Sequence, residues 1–286
     1  MWDRGTSRIS EADATRFRQR RRELALGPLV IHANYLINLA SPDAVLRTRS
    51  IMAFHQEIVR AVALGADYLV FHPGSGRDSN KQDAIATIST SLGQAVRGVK
   101  LGDLRILLEN TAGQGSTIGA RLEELKEIVD ASRDLSLGVC IDTAHIFAAG
   151  WDIRSAEGLD KALDDIDRTI GLDCVAVIHV NDSKTDLGSR VDRHDHIGKG
   201  KIGLEGFRRV LNHPRLADKA FILETPIDKP GDDWRNVAAL WKLLGRPAPA
   251  RNGFAGMKPR TRKMRAKKIT IRRTKIAIKK ARRKKR

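Results

Sequence analysis

Six short apolar runs in this chain each close on a residue that can bind a cation or move a proton. They are Pro28-Leu-Val-Ile-His32, Tyr68-Leu-Val-Phe-His72, Arg105-Ile-Leu-Leu-Glu109, Gly138-Val-Cys-Ile-Asp142, Val175-Ala-Val-Ile-His179 and Ala220-Phe-Ile-Leu-Glu224. A single case has an ordinary explanation, since an Asp at a strand end often caps the helix that follows. Six in succession strain it, because burying so many ionisable groups together is costly unless something neutralises them. Divalent cations do so. A donor set of His, Asp and Glu without Cys suits Zn2+ or Mn2+, and Fe less well.

Two further stretches add donors. His145 follows Asp142 by three residues, among small and apolar neighbours bracketed by Gly138 and Gly150. In the polar loop after His179, Asp192 and His194 are spaced Asp-x-His, so both face one way if that piece is extended. With His145 they would make a three-ligand cluster. A loop of about twenty residues in a compact domain is more often functional than idle. Gly198-Lys-Gly200-Lys-Ile-Gly203 formally matches a dinucleotide fingerprint. It follows a charged loop rather than a buried strand, so that reading is rejected.

The elements that must position these residues alternate. Helical patterns are expected from Ser10 to about Leu24, from Ser41-Pro42 to Leu64, and over 81–99, 122–129, 156–170, 206–211 and 234–244. Strand-end residues recur at spacings of 40, 37, 33, 37 and 45. Continuous apolar strands alternating with helices mean a parallel sheet covered on its faces. A functional group at every C-terminal strand end points to a TIM-type (β/α) barrel. A doubly wound sheet would gather its ligands at one switch point instead. Only six strands are visible where a barrel has eight, so the first two strands are expected to be lacking. Met1 is accordingly expected to be a mis-assigned or secondary start, with the strands ending at His32 and Glu224 left as edges.

Charge divides the chain. Residues 251–286 carry 18 Lys or Arg and no acid; without them, the 52 basic residues fall to 34 and match the 34 acidic ones. The expected organisation is a neutral catalytic body over 1–246 and a disordered Lys/Arg-rich tail over 247–286. Lys267, Lys268, Arg272, Arg273, Lys279 and Lys280 would attract phosphates non-specifically; the rival reading is a nuclear localisation signal in the run Lys-Lys-Ala-Arg-Arg-Lys-Lys-Arg over 279–286. No apolar run is long enough for a membrane span, and Met1-Trp-Asp-Arg-Gly lacks a secretory h-region. Cys140 and Cys174 sit in apolar runs and read as reduced, buried thiols.

Together His32-Ala-Asn-Tyr35, Phe71-His72-Pro-Gly-Ser, Glu109-Asn-Thr-Ala-Gly-Gln-Gly, Asp142-Thr-Ala-His145, His179-Val-Asn-Asp-Ser-Lys, Arg190-Val-Asp192-Arg-His194 and Leu223-Glu224-Thr resemble endonuclease IV. This is the metal-dependent apurinic/apyrimidinic endonuclease family. The resemblance runs from about Pro28 to Pro226 and is absent from the tail. It implies three Zn2+ per chain, with Mn2+ possible in some sites. His32, His72 and Glu109 would hold the first ion, and Glu109 would bridge to a second held by Asp142, His179 and Glu224. His145, Asp192 and His194 would hold the third.

The implied reaction is hydrolysis 5′ to an abasic site in double-stranded DNA by a metal-bridging hydroxide oriented by Glu109 or Glu224, leaving a 3′-hydroxyl. Tyr35 and Leu36 match the family's wedge into the base stack, and Arg190 and Arg193 are placed to meet backbone phosphates. His55 and His213 read as surface residues in helices, and His196 is given no ligand role. A monomer is expected, cytoplasmic and nucleoid-associated in a bacterium or nuclear in a eukaryote. The rivals are a metal-dependent sugar isomerase or epimerase of barrel fold, and a DNA-binding protein with an inert truncated barrel.

Overall fold

The computed structural model describes residues 9–248. The chain begins with helix α1 (Glu11–Glu23), capped where the Ser10 hydroxyl accepts the Asp13 N–H. Strand β1 (Val30–His32) leads to α2 (Ala44–Leu64), which the Asp43 carboxylate caps and Gly65 ends. Gly65 holds φ of 65°, the left-handed stop that a residue without Cβ takes at no steric cost. The alternation continues through β2 (Tyr68–Phe71), α3 (Lys81–Ala95), β3 (Arg105–Glu109), α4 (Leu122–Ala131) and β4 (Gly138–Asp142). Then come α5 (Thr143–Ala149), α6 (Ala156–Thr169), β5 (Val175–His179), a ribbon of β6 (Asp182–Ser183) and β7 (His194–Asp195), α7 (Gly203–Asn212), β8 (Ala220–Ile222) and α8 (Asp232–Leu243).

Six strands pair in parallel in the order β1-β2-β3-β4-β5-β8, a TIM-barrel-like sheet that forms an open half-barrel. This is the architecture expected from the spacing of the apolar runs. Alternation along each strand decides what faces where. Leu69, Phe71, Ile106, Leu108, Val139 and Ile178 turn outward to the helices and join the main core. Val70, Leu107, Cys140 and Val177 turn inward and are fully buried. Next to them Val30, Ala220 and Ile222 are only partly covered, because β1 and β8 are the edges of the sheet. One step further along each strand, the inward position is occupied by a ligand candidate.

Most expected helices lie within a few residues of their predicted limits. Two elements were not anticipated. The seven-residue helix α5 begins directly after β4, and the antiparallel β6–β7 ribbon folds the polar loop back on itself. His213 is not within a helix but follows α7, where it caps a short 3-10 turn and faces Asp160 at 2.9 Å. His55, in α2, donates or accepts at Nδ1 against the Ala95 carbonyl of α3 at 2.8 Å. Cys140 is a buried free thiol and Cys174 a half-buried one. Among the described residues, no helix is long and apolar enough to cross a membrane. The basic tail, with Lys267, Lys268, Arg272, Arg273, Lys279 and Lys280, lies outside the described residues.

Candidate metal centre

Glu109 sits at the centre. It ends β3 facing inward, and its carboxylate is fully buried. Its Oε2 lies 2.8 Å from His32 Nε2 and 3.6 Å from His72 Nε2. Its Oε1 lies 2.9 Å from His179 Nδ1 and 3.5 Å from His145 Nδ1. Four imidazoles therefore surround one carboxylate. His179 Nδ1 also meets Glu224 Oε2 at 3.1 Å, just beyond β8, where that side chain is 30% exposed.

Asp142 does two things. As the N-cap of α5 its Oδ1 accepts the His145 N–H at 2.8 Å, and this capping turn throws His145 up beside the carboxylates. Its Oδ2 accepts from Asn181 Nδ2 at 2.5 Å and lies 3.7 Å from His194 Nε2. The capping role and the ligand role are thus compatible in one carboxylate.

A third group is a closed triangle. His145 Nε2 is 3.3 Å from Asp192 Oδ1 and 3.4 Å from His194 Nε2, and His194 Nε2 is 3.4 Å from Asp192 Oδ1. The loop bearing Asp192 and His194 is tied down by α5, whose Phe147 and Ala148 carbonyls accept the Gly188 and Arg190 N–H groups at 3.2 and 2.9 Å. Gln114 Oε1 accepts the Asp192 N–H at 3.3 Å.

Three of the rings are oriented from behind. His32, His145 and His194 turn Nδ1 to the carbonyls of Ala33, Asn110 and Glu224 at 2.7, 2.9 and 3.3 Å. An Nδ1–H donated to a carbonyl leaves Nε2 with its lone pair facing the cluster, the tautomer a metal needs. His179 turns Nδ1 toward the Glu109 and Glu224 carboxylates, with Cys140 in the apolar layer below.

The electrostatics follow from these neighbours. Burial raises the Glu109 carboxyl, but His72 and His179 overcome it and hold Glu109 well below the usual carboxylate range. Burial opposes charging of His145, yet Asp142, Asp192 and Glu109 push its imidazole up to about 10. His179 and His32 are also raised against their burial, by Cys140 and Glu109 for the first and by Glu109 for the second. His72 goes the other way, because burial dominates. Asp192 and Glu224 are lowered despite burial, by His145 and His179 respectively.

Among the described residues, no Lys or Arg pairs with Glu109, Asp142, Asp192 or Glu224; their charged partners are all imidazoles. An anionic set in which Glu109 and Asp142 are fully buried, with no fixed cation, demands protons or metal ions. Four groupings bring donor atoms within 4.8 Å of one another: His32, His72 and Glu109; His32, His179 and Glu224; Glu109, Asp142, His179 and Glu224; and Asp142, His145 and His194. These overlapping groups of hard oxygen and imidazole donors fit a multi-metal site.

Three relatives and a family model bear on what this site belongs to. The AP endonuclease 2 family, described as a xylose isomerase-like TIM barrel, matches residues 2–244. A probable endonuclease 4 of Solibacter usitatus is 50% identical over 236 residues, which cover 81% of each chain. The chain belongs to the endonuclease IV family. A probable endonuclease 4 of Chloroflexus aurantiacus is 43% identical over 82% of this chain and 84% of its own. The crystal structure of endonuclease IV from Thermus thermophilus superposes with a TM-score of 0.75 at 40% identity, covering 86% of this chain and 85% of that one. The family consists of DNA-repair nucleases on a metal-binding TIM barrel, which sets the sugar isomerase reading aside.

The remaining sequence candidates lie around this centre. Tyr35 is 83% and Leu36 41% exposed, on the loop that follows β1. Tyr35 lines a cavity of about 420 Å3 together with Asn38, His72, Gln114, His145 and Asp192, so this opening reaches the ligand atoms from outside. Arg190 and Arg193 are both exposed beside Asp192, and Arg193 donates to the Asp192 carbonyl at 2.6 Å. His196 lies apart from the clusters, with Nδ1 3.1 Å from Asn236 Nδ2.

Sequence reasoning passed over Asn110, Gln114, Asn181 and Asp182. Asn110 Oδ1 accepts the Asp142 N–H at 2.6 Å, and Asn181 Oδ1 accepts the Glu224 N–H at 2.8 Å. The available signal was position: Asn110 directly follows Glu109, and Asn181 follows His179 by two.

Proposed function

We propose that this protein hydrolyses the phosphodiester 5′ to abasic sites in duplex DNA, leaving a 3′-hydroxyl, with three divalent ions, Zn2+ in preference to Mn2+. His32, His72 and Glu109 hold one ion; Glu109, Asp142, His179 and Glu224 a second; His145, Asp192 and His194 a third. Such ions supply Lewis acidity at the phosphate and lower the pKa of water into the neutral range. Everything else falls to the chain's own groups.

Glu109 is committed on both oxygens, to His179 at 2.9 Å and His32 at 2.8 Å. Glu224 is not, being 30% exposed with one oxygen on His179. Glu224 is therefore the group placed to orient the attacking water and accept its proton at a carboxylate oxygen. The scissile phosphate enters through the cavity beneath Tyr35, where His72, His145 and Asp192 form the wall. Exposed Tyr35 and Leu36 enter the base stack beside the lesion, where an abasic nucleotide costs little to extrude. Arg190 and Arg193 meet the flanking phosphates.

The observation that carries this reading is the buried Glu109 carboxylate ringed by four imidazoles, in a chain half identical to a probable endonuclease 4. Mapping the product ends tests it. A nicked duplex whose 5′ fragment a DNA polymerase extends without further processing is the expected result. A fragment ending in a sugar remnant that blocks extension would mean elimination chemistry rather than hydrolysis.

A further inference from the structure

Asp182 is a fully buried acid that takes no part in the ligand groups. It follows His179 by three residues, pairs across the ribbon with Asp195, and leaves its neighbour Ser183 opposite His194. Among the described residues, no Lys or Arg pairs with it. Its charge is met by backbone amides instead. Oδ1 accepts from Ser183, Ile202 and Gly203 at 2.9, 3.0 and 3.4 Å, and Oδ2 from Gly198 and Gly200 at 2.9 and 3.1 Å. Five donors on one carboxylate exceed what its oxygens ordinarily accept from a single turn. Four of them come from the Gly198–Gly203 segment, which is thereby folded around the side chain.

The geometry has little slack. A Cβ on Gly200 would press into the Ser183 carbonyl oxygen and lie 2.6 Å from Asp182 Oδ1, so only glycine lets the backbone come this close. The Lys201 N–H reaches the same Ser183 carbonyl at 2.7 Å, and the Lys184 N–H reaches the Arg193 carbonyl at 2.9 Å. The chain thus leaves β6, carries Asp192 and His194, returns as β7, and is then wrapped around the Asp182 carboxylate. Both ends of the ligand-bearing loop are fastened to one buried anion that touches neither ligand.

We infer that Asp182 is the positioning residue for the His145–Asp192–His194 cluster, setting the place of Asp192 and His194 through the amide cage of residues 198–203. This rests on the ligand reading above. Replacing the carboxylate by a carboxamide turns an NH2 donor toward two amide donors and leaves at least two buried N–H groups unpaired. The loop shifts, and the cluster that depends on it weakens. The Glu109-centred clusters draw their ligands from β1 to β5 and β8 and are untouched. Loss of such a support from behind typically lowers metal affinity about 10- to 100-fold.

The test counts ions per chain in the full-length protein, loaded with Zn2+ and challenged with increasing chelator. Wild type, Asp182→Asn, Gly200→Ala and His194→Ala are compared by elemental analysis, with unfolding midpoints recorded alongside. Wild type should hold three ions and His194→Ala two. Asp182→Asn should shed one ion at about 10- to 100-fold lower chelator while keeping the other two at wild-type affinity. Gly200→Ala, which leaves every charged group in place, should do the same and decides the matter if Asp182→Asn does not fold. Three ions retained at wild-type affinity in the variants would overturn the proposal. So would proportional loss of all three, which is what a general loss of structure gives. A wild-type count below three, or an unchanged count in His194→Ala, would instead overturn the ligand reading, and the Asp182 role with it.

Discussion

Four imidazoles converge on the two buried oxygens of Glu109. Glu109→Gln keeps the shape but removes the charge shared by two of the metal groups. Cleavage of an abasic duplex should fall at least about 100-fold, the lower range for loss of a preorganised electrostatic contact, with two ions lost. Near-wild-type cleavage would show that Glu109 is not shared. His145 gives a pH signature. In the metal-free fold its value is raised from the ordinary 6.5 to about 10. Its proton therefore contributes stability that is complete below about 6.5 and is lost as pH rises through about 10. The metal-stripped protein should melt at progressively lower temperature from pH 7 to pH 10, and the loaded protein should not, because metal has displaced that proton. A metal-free melting point that rises over this range would contradict the assignment. At this scale the candidate ligands were legible because each ends an apolar run or sits at a fixed short spacing. Asn110 and Asn181 were not, because an amide after a strand end has no period. What they hold, Asp142 and Glu224, lies 32 and 43 residues away in sequence.

The elements add a constraint that single residues do not show. Helix α5 links β4 to the loop of Asp192 and His194, both through its cap on Asp142 and through the carbonyls of Phe147 and Ala148. Phe147 anchors it, fully buried and with the Arg154 guanidinium 5.3 Å from its ring centre. Phe147→Ala should cost about 3–5 kcal/mol in urea unfolding of the metal-free protein, and it should loosen the third ion ahead of the other two. A cost below about 1 kcal/mol would mean that α5 is not held by this side chain. The six strands and most helices were legible because apolar periodicity marks both. Helix α5 was not, since its small and apolar residues merge with the run of β4. The β6–β7 ribbon was not either: two-residue strands in a polar loop carry no pattern, and the backbone that closes on the Asp182 carboxylate lies beyond them at 198–203.

Across the molecule, charge and chemistry are separated along the chain. The 18 basic residues of 251–286 account for the whole net charge of +18. Deleting them should weaken duplex binding at low salt and flatten its salt dependence, while leaving metal content unchanged. Equal affinity at low salt, measured by fluorescence anisotropy, would show that the tail plays no part in DNA binding. The body has its own division: a sheet whose inner face is apolar below and ionisable above, so that the same strands supply a core and an active surface. One measurement reaches the central claim that this ionisable rim is the metal centre of an abasic-site nuclease. A duplex with a single abasic analogue and its undamaged counterpart are incubated with the full-length protein, the chelated protein and the chelated protein restored with Zn2+. Cleavage only of the damaged strand, abolished by the chelator and recovered with Zn2+, is the predicted result. Cleavage that survives metal removal, or no cleavage by a protein carrying three ions per chain, would contradict it.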